Sequence, residues 1–241
     1  MVDLAEWNLT IPEPSSPVVI ETNVLNRNYR SDYFYRTPDG SVTLWAPVTG
    51  RYTPELNYPS TELRETRPDG SEYNWKYEDS VSLMQADLRV NQVPSSGKMI
   101  IGQIRTVGDS QGTPDSALIS LRYRLDPTME GKTPVTGQVE ALIRTKPDTL
   151  KIPPQILLRN IPLDGPFSYE LRLSRTGVLS VRLFTHGRGN GELSVQLDQR
   201  WASYHLYFKA GAYVEDKEGP STEGGKVTFN RLVTMHQPNN R

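Results

Sequence analysis

Tyr207-Phe208-Lys209-Ala210-Gly211-Ala212-Tyr213-Val214-Glu215 alternates with period two. Phe208, Ala210, Ala212 and Val214 form one face; Tyr207, Lys209, Gly211, Tyr213 and Glu215 form the other. That is the pattern of a β-strand with one face on a core. The second face has two readings. Tyrosine is a common strand residue, so this face fits ordinary solvated sheet surface. It also fits a binding surface, with two phenols and an ammonium in a row and a glycine leaving space between Lys209 and Tyr213.

Outward from this stretch the same period recurs. Ser82 to Val90 alternates with Met84, Ala86, Leu88 and Val90 inward, and Ala117 to Arg124 with Ala117, Ile119, Leu121 and Tyr123 on one side. Further strands are expected around Trp7-Asn8-Leu9 and over 41–47, 60–67, 98–106, 137–145, 168–174, 178–184, 192–197 and 225–235. Turn signals separate them: Pro38-Asp39-Gly40, Pro68-Asp69-Gly70, Pro94-Ser95-Ser96-Gly97 and the hairpin loop 186–191. Residues 107–116 read as a polar loop. The 19 prolines and 18 glycines are spread along the chain, and no long amphipathic helix is legible. This predicts an all-β fold of antiparallel strands, a sandwich or barrel. No linker or repeat divides the 241 residues, so one domain over 1–241 is expected.

The formal net charge is −1, so no global field draws the chain to nucleic acid or to a membrane. No run of about 18 apolar residues exists. There is no cysteine, and no His/Asp/Glu spacing suggests a metal, so neither metal nor cofactor is expected. The start carries no basic segment followed by an apolar run, so no leader is expected within this chain, and its compartment is not legible.

The polar strand faces are more specific. They carry Ser60, Glu62 and Arg64; Gln103 and Arg105; Ser120, Arg122 and Arg124; Gln138, Glu140 and Arg144; and the face of the 207–215 strand. In one sheet they would make a basic trough bearing amides and phenols. Arginine captures carboxylates in a bidentate fork, so a polyanion with one carboxylate per unit suits such a trough.

Three blocks, Ser60-Thr61-Glu62-Leu63-Arg64-Glu65, Gln103-Ile104-Arg105 and Tyr207 to Glu215, resemble the signature blocks of polysaccharide lyase family 7, the alginate lyases. The resemblance continues through Trp45-Ala46-Pro47, 91–98 and 223–229. It implies a β-jelly roll of two antiparallel sheets with a substrate groove on the concave one. It also implies β-elimination at a uronic acid: a base removes the C5 proton, and an acid protonates the departing O4. By this resemblance Arg64 and Gln103 hold the carboxylate, and Tyr213 is the acid and also the base. Glu62, Tyr207, Lys209, Arg122 and Glu215 would bind sugars, with an acidic polysaccharide as partner and a monomeric enzyme.

The sequence departs from the family pattern at three places. Arg105 stands where the family has histidine, Ser60 where the first block begins with arginine, and Glu215 where the third ends in glutamine. Arginine stays protonated and is a poor base. Of His186, His205 and His236, none is expected on the groove face near Gln103, and His205, two residues before the Tyr207 strand, is the one candidate. Arg105 is expected to lower the pKa of Tyr213. A lyase without histidine would act by syn elimination on mannuronate-rich or glucuronate-type chains, where the C5 proton and O4 share one side of the ring. The alternative is a non-catalytic acidic-glycan-binding domain.

Overall fold

The computed structural model describes residues 1–53, 56–108, 116–127, 135–187 and 189–238. Residues 109–115 of the expected polar loop and Arg188 of the hairpin loop lie outside these. In chain order the strands are β1 (Trp7–Ile11), β2 (Val18–Ile20), β3 (Phe34–Arg36), β4 (Val42–Pro47), β5 (Ser60–Glu65), β6 (Ser80–Gln92), β7 (Lys98–Thr106) and β8 (Ala117–Leu125). They continue as β9 (Thr136–Ile143), β10 (Gln155–Pro162), β11 (Phe167–Leu173), β12 (Val178–Phe184), β13 (Asn190–Gln196), β14 (Leu206–Val214) and β15 (Gly224–Pro238). Two short helical turns are α1 (Thr22–Leu25) and a 3-10 turn at Gln199–Ser203.

The strands form two antiparallel sheets. The eight-stranded sheet runs β10-β9-β8-β7-β14-β5-β1-β2, and the seven-stranded sheet runs β13-β12-β11-β6-β15-β4-β3. The inward rows meet between them. Leu63 of β5, Ile104 of β7, Tyr123 of β8, Phe208 and Ala210 of β14, Met84 and Leu88 of β6 and Phe229 of β15 are all buried in one apolar cluster. The expected alternation on β6 holds, with Met84, Ala86, Leu88 and Val90 fully buried.

β14 lies between β7 and β5 at the centre of its sheet, and all nine of its residues are buried. Its second face is therefore not open sheet surface. Gly211 has a specific reason: a Cβ there would lie 2.3 Å from the Thr61 carbonyl oxygen and 2.7 Å from Glu62 Cα. The space beside this glycine is filled by β5, so only glycine permits the approach.

β2, β3 and β10 were not legible in the sequence. The first two are three-residue edge strands. β10 follows Pro153-Pro154, slips register twice against β9, and holds Asn160 at φ 59°. A bulged edge strand loses the period that marks a regular one.

Candidate active site

Strand register brings the sequence-predicted groups onto one sheet. Ser120, Gln103, Lys209 and Arg64 stand side by side across β8, β7, β14 and β5, and Asn8 of β1 continues the row. A second row holds Glu140, Arg122, Ile100, Tyr213 and Ser60. Between the rows Glu62 pairs with Gly211, and beyond the first row Arg105 pairs with Tyr207. Their neighbours Leu63, Ile104, Phe208 and Ala210 are core residues, so alternation puts these polar groups on the face away from the second sheet. β14 slips register against β7 between Ala210 and Tyr213, and β7 slips against β8 between Ile100 and Gly102. Bulges of this kind re-aim side chains.

The expected basic trough is a set of ion pairs. Lys209 Nζ donates to Glu62 Oε2 at 2.7 Å, and both side chains are buried. Arg122 donates to Glu140 Oε2 through Nη2 at 2.6 Å and Nε at 2.9 Å, and lies 3.3 Å from Glu215 through Nη1. Glu140 also accepts from Gln138 at 2.6 Å and lies 3.5 Å from Arg124. Burial opposes ionisation of Glu140, but the hydrogen bonds from Arg122 and Gln138 and the two arginine charges together hold it below its ordinary carboxyl pKa.

Arg64 lies over the Tyr207 ring, 4.1 Å from Cζ to centroid. Its Nη2 donates to Asn74 Oδ1 at 2.6 Å and Glu72 Oε2 at 3.0 Å, and Nη1 donates to the Glu65 carbonyl at 2.8 Å. Tyr207 thus serves as the floor for a guanidinium, and both Nη2 hydrogens are engaged. Glu72 and Asn74 lie outside the alternating strands, so period-two reading does not find them.

Gln103 is 1% exposed. Its Nε2 donates to Ser120 Oγ at 2.8 Å, while its Oε1 is buried without a hydrogen-bond partner. Arg105 is also buried. Tyr213 donates its hydroxyl proton to the Leu56 carbonyl oxygen, and Tyr58 packs edge-on at 6.1 Å between ring centroids. Burial pushes the Tyr213 pKa well above its ordinary value, and Glu62 adds to this; Arg105 pulls the other way and is outweighed. The expectation that Arg105 leaves Tyr213 more acidic than usual is therefore corrected. Desolvation of a phenolate costs more than one nearby cation returns.

The histidines are dispersed. His186 is exposed in the loop between β12 and β13. His205 is exposed and precedes Tyr213 by eight residues, roughly 25 Å along an extended strand, too far to share one sugar. His236 lies between the sheets. Its Nε2 is 2.7 Å from Glu65 Oε1 and its Nδ1 is 2.9 Å from Ser82 Oγ, within a nest of Tyr73, Trp75 and Phe208. Trp75 Nε1 also donates to Glu65, at 3.0 Å. This buried strut joins β5 to β15. Sequence reading missed it because Glu65 lies on the inward face, where apolar residues are expected. Among the described residues no group of His, Asp and Glu could hold a metal ion.

The chain resembles known proteins over nearly its whole length. The family model for alginate lyase matches residues 2–236. A curated alginate lyase from Klebsiella pneumoniae is 25% identical over 276 residues, covering 97% of this chain and 89% of its own. The crystal structure of an alginate lyase from Pseudomonas aeruginosa is 43% identical, covers 98% of this chain and 100% of its own, and gives a TM-score of 0.87. The alginate lyase A1-II', a member of polysaccharide lyase family 7, is 28% identical, with 99% and 97% covered and a TM-score of 0.81. A jelly-roll sandwich whose central polar face carries Arg64, Gln103, Lys209 and Tyr213 agrees with these likenesses, and the chain belongs to the alginate lyase family as a polysaccharide lyase.

Proposed function

We propose that this lyase cleaves alginate by syn β-elimination at mannuronate, with glucuronate-type chains as a second substrate class. The uronate lies over the Lys209–Glu62 pair, between Gln103 and Tyr213. Gln103 and Arg64 bind its carboxylate. Tyr213 takes the C5 proton, the C5–H electron pair forms the C4–C5 double bond, and the same phenol returns a proton to O4 as the glycosidic bond breaks. Charge grows on the carboxylate as C5 loses its proton, so donors placed there act most strongly in the transition state.

One observation supports this reading: among the described groove residues Glu62, Glu140 and Glu215 are ion-paired and the histidines lie elsewhere, so the proton falls to the Tyr213 phenol in this mechanism. Arg105 holds the position where the family blocks carry histidine. In the related A1-II', a variant with one histidine and one tyrosine replaced is in complex with substrate. Guluronate puts the C5 proton and O4 on opposite ring faces and needs two groups, so this chain should work poorly on guluronate blocks.

The test is ultraviolet absorbance of the unsaturated product from separate mannuronate, guluronate and glucuronate polymers. Mannuronate is expected to react fastest, and Arg105→His to raise the rate on guluronate. No product from any of the three would leave a binding domain in place of a lyase.

Arg64 supports a second test. Glu72 is 59% exposed in its side chain, and exposed ion pairs contribute about 0.2–1 kcal/mol. A substrate carboxylate must displace it to gain a forked contact. Glu72→Gln is expected to lower KM by up to about fivefold, the same energy expressed as a ratio. A higher KM would show instead that Glu72 aims the guanidinium.

A further inference from the structure

The proposed function depends on which end of the Gln103 amide faces the substrate. A carboxylate accepts hydrogen bonds, so the amide must present its NH2 group. One N–H of the NH2 group goes to Ser120, and the amide oxygen has no partner. An unpaired buried carbonyl is unfavourable, because it loses its water and gains no donor. Rotating the amide by 180° keeps the same volume and exchanges the two ends. The Ser120 hydroxyl then donates to Oε1, and the NH2 group takes the unpartnered position.

Ser120 can accept this exchange. Its hydroxyl both donates and accepts, it is directly opposite Gln103 in the β7–β8 register, and it is 6% exposed. Alanine there could hold neither orientation. Lysine or arginine would hold only the orientation whose oxygen faces β8, at the cost of another buried cation. On the far side Lys209, opposite Gln103 on β14, is paired with Glu62.

We infer that Ser120 is a positioning residue for the elimination: its hydroxyl donates to Gln103 Oε1 and turns the amide NH2 toward the uronate carboxylate. The inference rests on the Gln103 role proposed above. Gln103 acts on charge that develops in the transition state, so losing its orientation lowers kcat more than it raises KM.

The experiment is a kinetic double-mutant cycle on the full chain with polymannuronate. Ser120→Ala is expected to lower kcat about tenfold with KM within about twofold. Ser120→Thr, which keeps the hydroxyl, is expected to recover most of the rate. In a Gln103→Ala background, Ser120→Ala is expected to change nothing further. A Ser120→Ala enzyme with wild-type kcat overturns the inference, as does the same tenfold loss in both backgrounds. The cycle decides even where the threonine variant packs badly. If Gln103→Ala alone keeps wild-type kcat, the reading of Gln103 fails and takes Ser120 with it. If Gln103→Ala is inactive and Ser120→Ala is not impaired, only the Ser120 role fails.

Discussion

Tyr213→Phe is expected to abolish turnover, by roughly a thousandfold or more, while binding of the polymer persists because the ring and its contact with Tyr58 remain. The same residue sets the pH dependence. Burial and Glu62 raise the Tyr213 pKa, so the free enzyme holds the phenol protonated at neutral pH. That state suits proton donation to O4 and opposes proton abstraction from C5. If one tyrosine does both, kcat/KM rises about tenfold per pH unit from neutral to alkaline solution, as the phenolate fraction grows. Arg105 opposes the upward shift, so Arg105→Ala lowers the rate at a given pH on the rising limb. Initial rates across pH with mannuronate polymer measure this. A flat profile through neutrality, with Tyr213→Phe still inactive, assigns the acid step to Tyr213 and the base step to another group. Turnover retained by Tyr213→Phe removes both roles.

Glu140→Leu is the substitution expected to cost most in stability. Arg122 would stay buried with the longer contact to Glu215 as its remaining carboxylate, and Gln138 would lose its acceptor. Breaking a buried pair from one side costs about 3–5 kcal/mol, on the order of 10 °C in thermal midpoint for a chain of this size. Replacing both partners, Glu140→Leu with Arg122→Met, should recover much of that loss, because no charge is then left unpaired. The pair also links stability to pH. The Glu140 pKa is depressed in the fold, so its contribution is present above the ordinary carboxyl value of 4.5 and is lost as pH falls through the lower folded value. The gap between wild type and Glu140→Leu therefore narrows in acid. Thermal melts at neutral and acid pH measure it, and an equal gap at both would show that the pair does not carry the difference.

The strands that build the groove were legible because they alternate over most of their length and several end at a Pro or Gly turn. Leu63, Ile104 and Phe208 mark the inward phase, which leaves Glu62, Gln103, Arg105 and Lys209 on the other face. Alternation gives the side a residue faces, not what it meets there. Nothing in the period says that Lys209 is matched by Glu62 or that Arg122 sits between two carboxylates. These pairs follow from cross-strand register, which bulges at Ile101 and around Gly211 shift locally. The Tyr213 pKa was misread for the same reason. The arginines are visible in sequence, but the burial that outweighs them is created by packing. Glu65 and His236 are 171 positions apart and meet because β15 crosses the opposite sheet.

The closed packing of β14 has a consequence for engineering. A strand with one wet face offers every second position to variation at small cost. β14 offers none, because the core occupies one face and the ion pairs and stacked rings of the groove occupy the other. Libraries randomised along 206–214 should therefore yield mostly unfolded or silent clones. Changed preference for one uronate over another is better sought in side chains that touch the groove from outside the strands, such as Tyr58, Glu72 and Asn74.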